Sequence, residues 1–339
     1  MRKILPLIFV FSLVCTVVFA QKDTLKLSNN DVLVGSIEKM DRSILTFSTS
    51  YDDSDFKIKW GEVLEITSHQ RFIISLTDGD RHTSKIQSVK GKDKVVEIEV
   101  EGVKQEFALN DIVFIEPIGG TFLSRLTVDF DFGVTITKAN DFKQLTTNLS
   151  ATYLAYKWRA RGLYKTVLSR QEGATDINRM DAEIGGDYYL PHDWFVNAKA
   201  IYLANDEQLL DLRSTYQAGV GYYFIRNNSM FFSANAGLAY TTEDFTSDTP
   251  DRNSTEGYVG VGFNKYAIGD LSVQTAAALY PSFSQSGRYR VDFNFDMKYD
   301  LPLDFYIRLG LSYNYDSQPV EDASDSDYVF TTSFGWEWN

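Results

Sequence analysis

From residue 122 to residue 338 the chain repeats one pattern about twelve times: an apolar or aromatic residue at every second position, followed by a break. The pattern is clearest in the stretch 289–299, YRVDFNFDMKY, where apolar residues alternate with charged and amide residues. A helix would spread those charges around its circumference, whereas a strand places them on one face. The pattern therefore predicts antiparallel strands with one apolar and one polar face.

The breaks in the pattern divide this region into strands. The predicted strands cover 122–137, 143–157, 158–168, 177–190, 194–205, 209–224, 230–242, 256–265, 268–281, 287–301, 304–316 and 327–338. Connections after even-numbered strands are short, and some after odd-numbered strands, such as 243–255 and 317–326, are longer and polar. This asymmetry is typical of outer-membrane barrels. We predict an all-β fold with a transmembrane antiparallel β-barrel of about twelve strands. A soluble antiparallel β protein is the alternative.

Tryptophan positions agree with a membrane barrel. Indole rings prefer the interface between membrane and water. Four of the five tryptophans flank short turns or close the chain, which places them at one predicted rim. The predicted interface belt consists of Trp158, Trp194, Trp336 and Trp338.

The N-terminus predicts export. Arg2 and Lys3 precede an apolar run over 4–18, and we interpret residues 1–20 as a secretory signal peptide. The only cysteine, Cys15, lies within it, so the mature chain would have no disulfide and no thiol chemistry. Loss of the two basic residues would change the net charge from −13 to −15. An acidic chain of this kind argues against nucleic acid as a partner.

Residues 21–117 form a different region with an internal repeat. The offset is 49 residues and aligns, for example, Leu25 with Ile74. Each copy predicts a small β unit similar to an Sm-like barrel, and because each is small for a core of its own, we expect the pair to pack as one domain. Residues 118–121 would link this domain to the barrel at 122–339. The ends of the first and last barrel strands should meet at the inner rim, so the domain is predicted to be periplasmic.

Several segments of the barrel region resemble a known family. They are residues 133–140, the segment 211–213 followed by 219–222, and the aromatic closing strand. The chain is similar here to the salt-induced outer-membrane protein family, known as domain of unknown function 481. The resemblance covers about two-thirds of the chain. It implies an outer-membrane barrel and no established activity.

The polar face of the predicted barrel carries charges of both signs. The candidate lumen charges are Arg125, Asp129, Asp131, Arg159, Arg161, Lys165, Arg179, Asp181, Glu183, Asp187, Arg213, Arg288, Arg290, Asp292, Asp296, Lys298 and Arg308. Basic residues of strand 158–168 are expected to oppose acidic residues of strand 177–190. One interpretation is a set of paired ions that fills a narrow interior. The other is a basic ladder that guides an anionic solute.

Residue types that support catalysis or metal binding are scarce. Of the three histidines, His69 and His82 belong to the N-terminal region and His192 to an inner-rim turn. A lipase built on a Ser–His pair would need its histidine near the outer rim. We therefore expect no enzymatic activity, no cofactor and no metal site. The acidic stretches 52–55 and 321–327 are interpreted as solvated loops, with weak binding of divalent cations as the alternative.

Three functions remain open at this point. The first is a small passive or weakly selective pore. The second is a non-conducting envelope-maintenance protein whose periplasmic domain binds a partner such as peptidoglycan or another envelope protein. The third is an outer-membrane lipid-modifying enzyme, which the missing outer-rim histidine disfavours. Expected partners are outer-membrane lipid, lipopolysaccharide and the barrel-assembly machinery, in the outer membrane of a Gram-negative bacterium, with residues 21–117 in the periplasm.

Overall fold

A computed structural model provides the architecture of the chain. It describes residues 22–118, 122–137, 142–155, 157–173, 176–246, 250–268, 270–321 and 323–338. The predicted signal peptide, most of the predicted linker and the side chain of Trp338 lie outside the described residues.

Among the described residues, no helix has the length and apolar character needed to cross a bilayer.

The N-terminal region forms one sheet of eleven strands, which we call the N-terminal sheet. Its strands are β1 Asp23–Leu27, β2 Val32–Asp41, β3 Ile44–Thr49, β4 Asp52–Lys59, β5 Val63–Thr67, β6 Phe72–Leu76, β7 Arg81–Ser84, β8 Gln87–Ser88, β9 Val95–Val100, β10 Val103–Ala108 and β11 Ile112–Pro117. Short 3-10 helices at Trp60–Glu62 and Leu109–Asp111 precede the last strand of each half. Corresponding elements therefore recur at the offset seen in the sequence.

The two halves of the N-terminal sheet are interlocked. Strand β5 of the first half pairs with β8 of the second, and β11 of the second half pairs with β2 of the first. The indole nitrogen of Trp60 donates a hydrogen bond to the carbonyl oxygen of Leu109, its counterpart in the other half, at 2.8 Å. Leu25 and Ile74, the aligned pair, are both fully buried in a single shared apolar core. Each half thus completes the other, and the likeness of each half to an Sm-like barrel stays a prediction.

The remaining strands close into one antiparallel barrel in which each strand pairs with its neighbours in the chain. They are β12 Leu126–Thr137, β13 Phe142–Leu154, β14 Trp158–Arg170, β15 Ile177–Tyr189, β16 Trp194–Asn205, β17 Leu210–Arg226, β18 Met230–Phe245, β19 Arg252–Ile268, β20 Leu271–Pro281, β21 Tyr289–Asp300, β22 Phe305–Asp316 and β23 Ser326–Trp338. This confirms the prediction of a twelve-stranded antiparallel barrel. We call the end where β12 begins and β23 ends the near end, and the opposite end the far end.

Some predicted strand limits were wrong. Strand β12 begins four residues later than predicted, because Leu123–Arg125 forms a 3-10 turn before it. Strands β18 and β19 continue into the segment 243–255, which had been predicted to be an outer loop. The alternation does not stop there but changes to polar residues, so that Thr241 and Glu243 still point inward and are fully buried.

The barrel closes where its first strand, β12, pairs with its last strand, β23. We call this pairing the seam, and it is the shortest in the barrel. Strands β12 and β23 share five cross-strand pairs, from Val128 with Trp338 to Phe132 with Phe334. Among the described residues, every other pair of neighbouring barrel strands shares at least eight. The seam therefore depends more than the other strand contacts on side chains that reach across it.

The outer surface of the barrel is apolar along the strands. Large side chains such as Phe132, Ile184, Leu238 and Phe334 are exposed there. Among the described outward-facing strand positions, charge occurs only close to strand ends, at Lys143, Arg170, Asp244 and Lys265. Such a surface is typical of a barrel surrounded by hydrocarbon.

Aromatic side chains form a girdle at the near end. Trp158, Trp194 and Trp336 are 44%, 49% and 44% exposed at this end of their strands. The rings of Phe122, Tyr153 and Trp158 stack in a row with centroids 4.9 and 5.1 Å apart. Aromatic girdles flank the apolar band of transmembrane barrels.

Candidate functional site in the barrel lumen

The N-terminal sheet lies across the near mouth of the barrel. The hydroxyl of Ser43, in the β2–β3 turn, donates a hydrogen bond to the carbonyl oxygen of Asn228 in the β17–β18 turn. The Asn228 amide in turn donates to the carbonyl oxygens of Asn110 at 3.0 Å and Ile112 at 2.6 Å. Lys57 forms an ion pair with Asp304 in another near-end turn. Because these contacts lie at separate turns, the sheet covers the mouth rather than touching one edge.

Arg81 is a further contact between the sheet and the barrel. Its guanidinium donates to the carbonyl oxygen of Ala155 at 3.3 Å and lies 4.1 Å from the centre of the Tyr189 ring. A cation over an aromatic face is attracted by the ring quadrupole. Ala155 lies in the turn after β13 and Tyr189 is the last residue of β15, so Arg81 joins the sheet to the near end of the barrel at two places.

The tip of the β2–β3 hairpin projects into the mouth. Arg42 and Ser43 both have positive φ, 47° and 64°, and form the tight two-residue turn of the hairpin. Arg42 lines the lumen cavity and lies 3.4 Å from the carboxylate of Asp41. Asp41, and more weakly Glu337 and Asp129 of the barrel, raise the pKa of Arg42 above its usual value. The hairpin thus places a cation among acidic groups of the barrel wall.

A buried ion cluster closes the far end. The carboxylate of Glu243 accepts hydrogen bonds from Arg213 and Arg252, both at 2.6 Å, and from Arg288 at 2.8 Å. The Asp316 carboxylate contacts the same three arginines. The Glu243 and Arg288 side chains are fully buried. The five residues come from strands on several sides of the barrel or from the residue just before β21, so their charges meet across the lumen.

A second network and an apolar cap extend this closure. Arg179 bonds Asp181, Asp327 and Asn314, at 2.5 to 3.0 Å. Val320, in the connection between β22 and β23, packs against the buried side chains of Leu203, Leu210 and Phe245. The connection therefore folds inward over the lumen instead of extending away from it.

A cavity of about 530 Å³ lies between the two closed ends. Its lining includes residues of the barrel wall together with Lys39, Asp41, Arg42, Arg81 and Phe114 of the N-terminal sheet. Fourteen lysines and arginines line it against eight aspartates and glutamates, an excess of six positive charges. The surface of the cavity is therefore basic, although carboxylates just behind it, such as Glu243 and Glu256, pair with several of its arginines.

Most of the candidate lumen charges lie in this cavity. The structure places fifteen of the seventeen along its lining, and the other two, Asp131 and Arg288, are buried. Asp131 accepts hydrogen bonds from Arg308 at 2.6 Å and from Asn148 at 2.7 Å. Arg288 belongs to the far-end ion cluster described above.

The pairing of these charges differs in part from the expectation. Arg159 forms the expected ion pair with Asp187 on the neighbouring strand. Lys165 faces Asp181 in the strand register, but its ammonium lies 3.7 Å from Asp296 on the opposite wall. The lumen is narrow enough for long side chains to reach across it, so neighbouring strands are not the only source of partners.

Several lumen residues were missed by the sequence analysis. Glu243, Glu256 and Asp316 supply most of the buried negative charge at the far end, and the tyrosine hydroxyls of Tyr258 and Tyr280 donate to Asn197 and Gln217. The alternation of inward and outward positions could have identified these residues, because each occupies an inward position of its strand. The predicted strand 230–242 ended one residue before Glu243, and the tyrosines were excluded because aromatic residues were assigned to the lipid face. Glu256 and Asp316 lie inside the predicted strands 256–265 and 304–316, so neither reason accounts for their omission.

Within the described ranges, no three His, Cys, Asp or Glu side chains are grouped so that they would hold a metal ion.

The fold and its interior define a class of protein: a closed β-barrel with a basic cavity surface and a second sheet across one mouth. Residues 130–338 match the family model described as protein of unknown function, DUF481, which confirms the resemblance seen in the sequence. The chain belongs to that family. No curated protein matches the chain significantly in sequence.

Solved structures that are similar to the chain include several barrels. A KdgM porin in complex with disordered oligogalacturonate has 8% identity, with 63% of this chain and 98% of the porin covered and a TM-score of 0.33. The translocator domain of autotransporter NalP from Neisseria meningitidis has 9% identity, coverage of 63% and 86%, and a TM-score of 0.35. A Pseudomonas aeruginosa FadL homologue has 9% identity, coverage of 79% and 86%, and a TM-score of 0.26. Likenesses this distant carry no information about function.

Proposed function

We propose that the protein is an outer-membrane β-barrel that passes small anionic solutes and is closed at rest. The apolar outer surface supports the membrane location, since outward-facing charge is confined to strand ends and tryptophans mark the near rim. In this proposal the near end faces the periplasm, and the N-terminal sheet is periplasmic. Outer-membrane lipid, lipopolysaccharide and the barrel-assembly machinery are then its general partners.

The basic surface of the cavity is the observation that carries this proposal. Fourteen basic against eight acidic side chains line the cavity of a chain that is acidic as a whole. Charges that line a pore select ions of the opposite sign. The carboxylates that pair with these cations, such as Glu243 and Glu256, lie behind the lining, so a solute in the cavity would meet mainly basic side chains. We propose no catalytic step for this lumen.

A second candidate is a non-conducting envelope protein whose N-terminal sheet binds a partner in the periplasm. The far-end ion cluster favours it, because Glu243 and Asp316 hold three arginines together in a largely buried layer. Solute passage would require that layer to rearrange. The two candidates therefore differ in one measurable property, which is conductance.

The test is a recording from planar bilayers containing the full mature chain, with a KCl gradient across the membrane. We expect discrete current steps and a reversal potential of the sign that anion selectivity requires. The Lys165→Glu variant, which reverses a charge in the lining, should shift the reversal potential toward zero. Arg170→Glu is the matched control on the same strand, because Arg170 is exposed at the far rim. Verified insertion without current steps at any voltage would favour the non-conducting candidate.

A further inference from the structure

One arginine in the cavity differs from all the others. Ten arginines line it, and nine of them hold a carboxylate or a backbone carbonyl. Arg161 is the tenth, and within the described part of the chain its side chain makes neither a hydrogen bond nor an ion pair. It is only half-buried and faces the cavity. We propose that Arg161 anchors an anion-binding site for the carboxylate or phosphate group of a small solute.

The wall beside Arg161 brings the stem of Lys199 toward it. Arg161 stands opposite Gly185 on the neighbouring strand, and Gly185 stands opposite Lys199 on the next. A Cβ at Gly185 would lie 2.7 Å from the Cγ of Lys199, so the lysine stem lies over the glycine. Neighbouring strands are about 4.8 Å apart, which puts Arg161 and Lys199 on strands roughly 10 Å apart with no side chain between them. Arg161 and Lys199 both line the cavity, so two cationic side chains are available on this part of its wall.

The local charge balance also calls for an anion. Lys199 is held by Glu183, with the two charged atoms 3.1 Å apart. Asp187, the next acidic group along that strand, is already bound by Arg159. Arg161 also attracts the Glu183 carboxylate, but that carboxylate bonds Lys199, so Arg161 has no ion pair of its own among these groups. A partly buried charge is costly unless it is paired, and a bound anion would pair it.

The chemistry of arginine defines the ligand class. A guanidinium presents its N–H groups as a planar fork that binds carboxylate and phosphate through two parallel hydrogen bonds. Lysine offers one mobile point charge and lacks that geometry. The cavity of about 530 Å³ lies within the range of ligand pockets, roughly 300 to 1,000 Å³. A small solute with one such group fits, and this site would be where the passage proposed above holds its solute.

The site is tested by calorimetric titration of the full mature chain in detergent with two probes, succinate and inorganic pyrophosphate. Each is titrated into the unmodified chain and into Arg81→Ala, which weakens the closure of the near mouth. We expect binding of one or both probes, at least tenfold weaker binding in Arg161→Gln and an intermediate loss in Arg161→Lys. Arg170→Gln, on the same strand but exposed at the far rim, should bind as the unmodified chain does. If only one probe binds, it identifies the group as carboxylate or phosphate; if both bind, the site accepts either group.

The results separate this site from the proposed passage of anions. If neither probe binds, or if Arg161→Gln binds as tightly as the unmodified chain, the site is wrong even where anion currents are recorded. If Arg161→Gln loses binding but the chain carries no current, the anion-binding site is supported and the proposed passage of anions is wrong. Circular dichroism of each variant shows that the barrel is folded before binding is compared.

Discussion

The guanidinium of Arg81 lies 4.1 Å from the centre of the Tyr189 ring and also bonds the carbonyl oxygen of Ala155. One side chain of the N-terminal sheet thus contacts the near end of the barrel at two places, a turn and the end of a strand. The other contacts across this junction are also polar, as in the ion pair of Lys57 with Asp304. Polar junctions of this kind permit relative movement of domains. The sheet is therefore held over the mouth by a small number of separable contacts.

Removing Arg81 should expose the lumen. Arg81→Ala removes a cation–π contact and a hydrogen bond, each worth about 1 kcal/mol. A loss of about 1 to 2 kcal/mol raises the open population roughly 5- to 30-fold. The measurement is the rate at which a charged thiol reagent modifies a cysteine placed at Thr152 on the cavity wall. Residues 22–339 contain no cysteine, so the introduced thiol is the only one that reacts.

The control for this experiment is Arg71→Ala. Arg71 belongs to the same sheet and donates to the carbonyl oxygen of Thr83, so its loss removes the same charge without touching the barrel. Its modification rate should equal that of the unmodified chain. Equal rates for Arg81→Ala and Arg71→Ala would show that the sheet does not close the mouth.

Loss of the central carboxylate of the far-end ion cluster should strongly lower the free energy of unfolding. Glu243 is fully buried and bonds three arginines, so Glu243→Gln leaves three buried cations that share one carboxylate, Asp316. Breaking a buried pair costs about 3 to 5 kcal/mol because a charge stays without compensation. We expect a loss of that order in the free energy of unfolding, measured in guanidinium chloride by tryptophan fluorescence.

Asp244 provides the matched comparison for Glu243. It is the next residue in the same strand but is exposed on the outer side. Asp244→Asn should change the free energy of unfolding by less than about 0.5 kcal/mol, as is usual for surface sites. A similar small effect of Glu243→Gln would mean that the far end is hydrated and open rather than sealed.

The barrel could be predicted from the sequence because its signal is local. Alternation along a strand needs only the order of the residues, and the same reasoning placed Arg159 and Asp187 side by side on neighbouring strands. The internal repeat was visible for a similar reason, since Leu25 and Ile74 occupy the same buried position in each copy.

What the sequence did not predict depends on contacts between distant parts of the chain. Nothing local indicates that Lys165 contacts Asp296, 131 residues away, rather than Asp181. The exchange of β5 and β11 between the two halves of the N-terminal sheet is set by packing, not by alternation. Closure of the near mouth follows from pairs such as Ser43 with Asn228, for which the sequence contains no pattern.

The seam between β12 and β23 should be sensitive to a single methyl group. A Cβ at Gly335 would lie 2.4 Å from the Asp131 carboxylate and 2.5 Å from the Tyr306 ring. The Tyr306 hydroxyl donates to that carboxylate, so the two side chains bridge the seam on the lumen side. Overpacking of this kind costs about 1 to 3 kcal/mol. Gly335→Ala should lower the guanidinium midpoint, measured as for Glu243→Gln.

Gly162 is the control for the seam. It lies in a barrel strand, and a Cβ there would meet no atom within 4 Å. Gly162→Ala should leave the midpoint unchanged or raise it slightly, because alanine restricts the unfolded chain. A midpoint for Gly335→Ala that matches Gly162→Ala would show that the Tyr306–Asp131 bridge does not determine the stability of the seam.

A charge on the outer belt tests the membrane location directly. Leu238 lies near the middle of β18, faces outward and is 63% exposed, which is costly in water and favourable in hydrocarbon. Arginine near the midplane of a transmembrane barrel costs about 2 to 4 kcal/mol. Leu238→Arg should therefore reduce folding into lipid vesicles and lower the free energy of unfolding in them by that amount. Val103→Arg is the comparison, since Val103 is 61% exposed on the N-terminal sheet and should tolerate the charge. Two results would contradict the membrane location: equal folding of both variants into vesicles, or folding of the unmodified chain as a monomer without lipid or detergent. In either case the apolar belt does not lie in a membrane, and the proposed passage of anions across one is wrong.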